Sequence, residues 1–130
     1  MAENGQTSRP TESELAILRV LWQRGQSTVR EVHDVLNEAK ETGYTTVLKL
    51  MQIMLEKKLL DRDASSRTHI YRPRVPEEKT QQQLVGHLID KAFSGSAQRL
   101  VMQALATKKV SAEELDQIRS LLDEIQGKQS

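Results

Sequence analysis

The stretch from residue 44 to residue 58 carries hydroxyl, basic and amide side chains at helical spacing. Thr45 and Thr46 come first, Lys49 follows about one turn later, and Gln52 comes next. In DNA recognition a lysine can bind phosphate or guanine, a glutamine can pair with adenine, and a threonine methyl group can contact a thymine methyl group. These residues are therefore candidates for reading double-stranded DNA. The alternatives are a helix cap for the threonines and simple exposure to solvent for Lys49 and Gln52.

Positive charge is concentrated in the same part of the chain. The 130 residues hold 19 Lys and Arg against 18 Asp and Glu, whereas residues 44–74 alone hold seven basic and three acidic residues, a net charge of +4. Ser65-Ser66-Arg67 separates two short segments, the second rich in strand-forming residues, and this pattern predicts a β-hairpin. We expect Arg67 at its tip to contact phosphate. We expect the ring of Tyr71 to pack at the hairpin base with its hydroxyl directed to the DNA.

Sequence patterns for other chemistry are missing. The histidines His33, His69 and His87 stand apart from one another, and the chain has no cysteine, so we expect no metal site, disulfide or thiol catalysis. No glycine-rich phosphate loop and no G-x-S-x-G nucleophile motif occurs. The sequence therefore predicts neither an enzyme nor a bound cofactor.

Local signals predict the elements that position these residues. Capping boxes, in which a hydroxyl and a glutamate three residues later satisfy each other's N–H groups, begin at Thr11, Thr28 and Ser111. The first predicts a helix over about residues 12–24, and the second predicts a helix that ends before Gly43. A third helix begins at residues 44–46, with Thr45 and Thr46 as its caps, and Met51 and Met54 fill the core behind it.

The predicted fold class is mainly α with a small β-hairpin wing. Three helices and the hairpin have the order of a winged helix-turn-helix, which we assign to residues 10–76. Residues 77–126 form a helical region that is too small to bury its own apolar stripes, so we expect it to dimerise with a second copy. The dimerisation residues are predicted to be Leu84, Leu88, Leu100, Val101, Leu105, Leu115, Ile118, Leu122 and Ile125.

Composition sets the expected location. No window approaches the ~18 consecutive apolar residues of a membrane-spanning helix, so we expect no membrane insertion. The first ten residues have no apolar centre and do not resemble a secretory signal. Together with the lack of cysteine, this predicts a cytoplasmic protein.

The segments ELAILRVLWQRGQSTVREVHDVL, YTTVLKLMQIMLEKKLL and RTHIYRP resemble the penicillinase-repressor family (the BlaI/MecI type), which includes methicillin-resistance and copper-responsive repressors. The resemblance covers about residues 11–126. It implies a transcriptional repressor that binds an inverted-repeat DNA operator as a homodimer. It also implies a membrane sensor protease as a partner, since antibiotic-responsive relatives are released by cleavage of an Asn-Phe bond. The matching position here is Gln103-Ala104.

Other differences from the family pattern lie in and just after the third helix, which is expected to read DNA. Relatives often carry an Asn-Arg pair where this chain has Gln52 and Ile53, and a glycine where it has Lys58. The cysteine pairs of copper-responsive relatives are missing, so that route of copper sensing is excluded. One interpretation of a different class stays open, in which the winged helix and the C-terminal helices bind another protein and there is no sequence-specific DNA binding.

Overall fold

Residues 9–129 are described by the computed structural model, and within them six helices and a two-stranded hairpin follow one another in the predicted order. The mainly helical fold class with a hairpin wing is therefore confirmed. The expectation about a secretory signal rests on the first ten residues, most of which lie outside the described residues. The elements are α1 Glu12–Arg24, α2 Val29–Ala39, α3 Tyr44–Glu56, β1 Leu60–Asp63, β2 Ile70–Pro73, α4 Glu77–Ala92, α5 Ala97–Thr107 and α6 Ala112–Gln129.

The three predicted capping boxes are present. The Thr11 hydroxyl accepts the Glu14 N–H at 3.2 Å, and Glu14 Oε1 accepts the Thr11 N–H at 2.9 Å. The boxes at Thr28 and Ser111 have the same reciprocal bonds. Hydrogen bonding from the N–H of the capping residue is the main cause that lowers the pKa of Glu31 and of Glu114. The starts of α1, α2 and α6 therefore follow from local sequence.

The prediction that Thr45 and Thr46 cap α3 is wrong. The helix begins at Tyr44, its N-cap is Gly43, and no side chain bonds to its first turn. A capping side chain must precede the first helical residue, and both threonines lie after it. The preceding turn is held instead by Thr42, whose carbonyl contacts His33 Nε2 at 2.8 Å and whose N–H donates to Asn37 Oδ1 at 2.9 Å.

The first compact unit has its core between α1, α2, α3 and the hairpin. The strands are antiparallel, with Leu60 opposite Pro73 and Asp63 opposite Ile70. Ser27 pairs with Tyr71 through two backbone hydrogen bonds of 2.8 and 2.9 Å, which attach the hairpin to the α1–α2 loop. Met51 and Met54 are buried, as predicted. The core residues are Ile17, Leu18, Val20, Leu21, Val29, Val32, Val47, Met51, Met54, Leu59, Leu60 and Tyr71.

The chain divides into compact units within α4. The first unit extends through Val85 and the second begins at Gly86, whereas the boundary predicted from the sequence separates residues 76 and 77. The start of α4 is part of the first unit, since Thr80 is buried there. Val75, just before the helix, packs against the core. Trp22 Nε1 donates to the Val75 carbonyl at 3.0 Å. The compact first unit therefore includes residues beyond the predicted boundary.

In the second unit the apolar stripes lack cover within a single chain. Of the residues predicted to dimerise, Leu100, Leu115 and Ile118 are half-buried, as is Leu84 at the end of the first unit. The others are exposed, and they are Leu88, Val101, Leu105, Leu122 and Ile125. No helix of the described residues is both long enough and apolar enough to cross a membrane.

The backbone at the end of α3 accounts for the glycine that the family resemblance leads us to expect at position 58, where this chain has lysine. Lys58 has φ of 66°, and the N–H groups of Lys58 and Leu59 donate to the carbonyls of Leu55 and Met54. This is a Schellman ending, in which the residue after the C-cap adopts the left-handed conformation that glycine adopts without strain. Lysine therefore holds an unfavourable backbone conformation at this position.

Replacing Lys58 with glycine is expected to raise the free energy of unfolding by about 0.5–1 kcal/mol, because strain is relieved while the unfolded chain gains some entropy. Urea unfolding followed by Trp22 fluorescence measures the change. Lys58→Ala is the matched control, since alanine also loses the charge but retains a Cβ. Equal stabilities of the two variants would contradict the backbone argument.

Candidate nucleic-acid interface

Thr45, Thr46, Lys49 and Gln52 lie on one exposed face of α3. The helix buries Val47, Met51 and Met54 against the core, and Lys49 lies on the opposite side. All four predicted side chains are exposed. The threonine hydroxyls take no part in capping the helix, so they remain available to an external partner.

The hairpin presents Arg67 in its exposed turn. Residues 62–69 are all exposed. The Ser65 N–H donates to Asp63 Oδ1 at 2.9 Å and shapes the start of the turn. Hydrogen bonds from the Ser65 side chain and backbone lower the pKa of Asp63 from its usual value of 3.8. Asp63 is therefore ionised at neutral pH and serves the turn.

Tyr71 is a core residue, and its contact with DNA stays a prediction. The packing of its ring at the hairpin base is confirmed, since the residue is only 2% exposed. Tyr71 also lines a groove between the start of α2, α3 and the hairpin. Its backbone holds the hairpin to Ser27, so its role is to position the wing.

Ion pairing within the fold reduces the basic charge counted along the sequence. Lys57 Nζ lies 2.7 Å from Glu14 Oε1, and the Glu14 side chain is only 4% exposed. Arg72 and Arg74 both lie within 4 Å of Asp61. Within the described residues, the basic side chains of the 44–74 stretch that have no such carboxylate neighbour are Lys49, Lys58, Arg62 and Arg67.

A groove of about 290 Å³ lies between the start of α2, α3 and the hairpin. Arg30 from α2 lies over the Tyr44 ring, with its guanidinium carbon 4.5 Å from the ring centroid. The other side of the groove includes Arg67, Thr68 and His69. A groove between two arginines with hydroxyl and imidazole groups suits a phosphate.

Sequence reasoning missed Arg30 and Tyr44 as candidates. Arg30 lies in residues 1–43, where the net charge of −2 did not indicate a basic surface. Tyr44 immediately precedes Thr45-Thr46, and its edge also contacts His33, at 5.8 Å between ring centroids. The sequence signal for Arg30 was its position as the second residue of α2, just after the Thr28 cap, because helix N-termini bind phosphate.

The described residues do not bring together a set of metal-binding side chains. Among residues 9–129, no group of three or more His, Asp or Glu side chains is placed to hold a metal ion. The histidine His33 is engaged on both ring nitrogens, by Asp34 at 3.1 Å and by the Thr42 carbonyl. The interface is therefore built from cations, hydroxyls, an amide and apolar groups.

Comparisons with known proteins agree with this geometry. The family model described as penicillinase repressor matches residues 10–124. The transcriptional regulator BlaI of Mycobacterium tuberculosis is 31% identical over 122 residues, which is 92% of this chain and 87% of that protein. The methicillin resistance regulatory protein MecI of Staphylococcus aureus is 18% identical over 120 residues, which is 92% and 98% of the two chains.

Two solved structures share the fold of about half of this chain. One is the solution structure of the DNA-binding domain of the repressor BlaI, with 19% identity and a TM-score of 0.50, covering 55% of this chain and 88% of that one. The other is the monomeric form of Bacillus licheniformis BlaI in complex with the blaP half-operator. It has the same identity and TM-score and covers 56% of this chain and 89% of that one.

Proposed function

The chain belongs to the penicillinase repressor family and is a DNA-binding transcriptional repressor, and we propose that it acts as a homodimer on an inverted-repeat operator. The observation that carries the proposal is the exposed face of α3, with a cation, an amide and two free hydroxyls, beside a groove that contains two arginines. An α-helix fits the major groove of DNA, where base edges can be read.

Each side chain has a proposed role. Lys49, at the middle of the face, binds phosphate or guanine, and Gln52 pairs with an adenine edge. Thr45 and Thr46 donate their hydroxyls to phosphate at the start of α3. Arg30 and Arg67 hold the DNA backbone on the two sides of the groove, and Tyr44 orients Arg30 through the cation–π contact.

The second unit supplies the proposed dimer contact. Exposed large apolar residues occur on α5 at Val101 and Leu105 and on α6 at Leu122 and Ile125. Surfaces of this kind are buried between copies in symmetric dimers. An inverted repeat presents two equivalent half-sites, which matches a protein with two equivalent α3 helices.

Selection of duplexes from a pool with a randomised central region tests the function. The full-length protein is expected to enrich an inverted repeat and to bind it far more tightly than a scrambled duplex at moderate salt, as measured by fluorescence anisotropy. Recovery of no preferred sequence, with equal binding to scrambled DNA, would favour the interpretation as a protein-interaction module.

Arg30→Gln is expected to weaken operator binding and to reduce the slope of log K against log salt by about 0.9, the value for one lost phosphate contact. The same loss is expected on every duplex sequence, because a phosphate contact carries no base information. Anisotropy titrations over a range of salt concentrations measure both quantities. Arg19→Gln is the matched control, since Arg19 is exposed on α1 and does not line the groove. An equal effect of the two substitutions would remove Arg30 from the interface.

Release from the operator by a sensor protease is a separate proposal. The bond between Gln103 and Ala104 lies inside α5, where the Gln103 carbonyl accepts the Thr107 hydroxyl at 2.6 Å. Proteases cut extended chain, so α5 would have to open first. The helix has no buried residue in the single chain, so local opening is inexpensive there. In the proposed dimer the contacts of Val101 and Leu105 would have to separate first. We place the protein in the cytoplasm, where bacterial DNA is accessible to it, and assign it no catalytic activity.

A further inference from the structure

Ile53 is an exposed apolar side chain on α3 that the proposed roles leave unused. It is 38% exposed. It belongs neither to the buried core nor to the partly buried hydrophobic residues that pack against the core. Among α1, α2, α3 and the hairpin, the other large exposed hydrophobic side chain is Tyr44, which contacts Arg30 and His33. In the folded unit more than a third of the Ile53 surface therefore stays in contact with water.

The helical geometry places Ile53 on the face that carries the DNA-reading residues. At about 100° per residue, Ile53 lies about 40° around the helix axis from Lys49 and about 20° from Thr46. Gln52 is its neighbour on the same exposed side. If this face enters the major groove, Ile53 enters with it.

A single apolar group projects from base edges into the major groove, and it is the C5 methyl group of thymine. The isoleucine side chain has few rotamers because it is β-branched, so little conformational entropy is lost when it is held against that methyl group. The contact also removes apolar surface of both groups from water. Within α3 no arginine is present for the bidentate contact to guanine, and Lys49 alone could serve that base.

We infer that Ile53 reads the methyl group of a thymine in each half-site, next to the base read by Gln52. This inference rests on the proposed DNA-binding function and extends it to the identity of one base pair. The operator half-site is accordingly specified in part by an A·T pair whose recognition requires the methyl group itself.

Replacement of thymine by deoxyuridine tests this contact, since it removes the methyl group and leaves every hydrogen-bonding atom in place. The probe is a duplex selected by the full-length protein from a randomised pool, with each thymine replaced in turn. At one symmetric pair of positions, the wild-type protein is expected to bind about fourfold more weakly per methyl group removed. Replacement in both half-sites is expected to lower affinity by about fifteenfold.

Variants of Ile53 assign the effect to this side chain. Ile53→Ser is expected to bind the thymine and deoxyuridine duplexes equally, and Ile53→Val to retain most of the discrimination. Lys49→Ala is the matched control on the same face, and it should weaken binding to both duplexes by the same factor. The melting temperature of the Ile53 variants should stay close to that of the wild type, because the residue lies outside the core.

The outcomes separate the inference from the proposed function. A wild-type protein that selects a duplex but shows the same pattern of uracil sensitivity as Ile53→Ser would overturn the thymine contact and leave DNA binding intact. A protein that selects no duplex would overturn both. If Ile53→Ser binds the selected thymine duplex as tightly as the wild type, Ile53 does not touch the DNA, and the inference is wrong.

Discussion

The double substitution of Leu122 and Ile125 by aspartate is expected to convert the protein to a monomer and to lower its affinity for an inverted repeat by about 10²–10⁴-fold. Both side chains are exposed in the single chain, 57% and 43%, at helical spacing on α6. Two carboxylates within an apolar contact between copies would be stripped of water without partners. Once dimerisation is lost, binding of the second half-site is no longer intramolecular, and that advantage disappears.

Sedimentation and anisotropy measure the two parts of this expectation. The wild type should sediment at about twice the chain mass of 14.8 kDa at micromolar concentration, and the double variant at the single mass. Ser120→Asp is the matched control, because it adds a charge about 160° away from Leu122 on α6. Affinity for a duplex with a single half-site should be unchanged in all three proteins. A monomeric double variant that binds the inverted repeat as tightly as the wild type would show that dimerisation does not hold the repressor on DNA.

A truncated chain gives an independent measure of the same coupling. A fragment of residues 1–85 retains Thr80, Val75 and the Trp22 hydrogen bond, so it should stay folded and bind a half-site like the full chain. A fragment that ends at Arg74 lacks Val75 and Thr80 and is expected to be less stable. The pair of fragments therefore separates the loss of dimerisation from damage to the DNA-binding unit.

The sequence predicts those features of the fold that depend on neighbouring residues. The capping boxes at Thr11, Thr28 and Ser111 join groups only three residues apart, so helix starts could be read directly from the chain. The start of α3 has no such signal. The two threonines were natural caps by residue type, but helix α3 begins before them, at Tyr44, and the turn is fixed by His33 and Asn37 through the Thr42 backbone.

The candidate site was predicted in its α3 part and missed where distant segments meet. A charge count along the chain cannot bring Arg30 next to Tyr44, nor can it show that Lys57, Arg72 and Arg74 face acidic groups. Tyr71 is a residue whose type alone leaves its role open. Its aromatic ring with a hydroxyl suits both a core and a DNA contact, and the structure shows the core role.

Glu14 is the clearest case of a role that local sequence hides. Its position in a capping box accounts for the hydrogen bond from Thr11, but not for its burial. The structure places Lys57, 43 residues away, at 2.7 Å from the same carboxylate oxygen. The pair thus connects the start of α1 to the C-cap of α3, the helix that carries the proposed DNA-reading face.

Lys57→Met is expected to lower the free energy of unfolding by about 2–4 kcal/mol, because it leaves the Glu14 carboxylate buried without its cation. Lys57 remains partly exposed, with 25% of its side chain accessible, so the effect should fall below that of a fully enclosed pair. Urea unfolding monitored by Trp22 fluorescence measures the loss. Lys58→Met is the matched control, since it removes the same charge from the next residue, which has no carboxylate within 4 Å among the described residues.

DNA affinity gives a second comparison of the two sites. Lys57 and Glu14 together carry no net charge, so the Glu14→Met, Lys57→Met double variant should bind DNA with an almost unchanged salt slope. Lys58→Met should be nearly as stable as the wild type and should bind DNA more weakly at low salt. The Glu14→Met, Lys57→Met double variant should recover part of the lost stability, because no buried charge is left alone. Equal stability of the Lys57 and Lys58 variants would show that the contact between α1 and α3 contributes nothing to holding α3 in place.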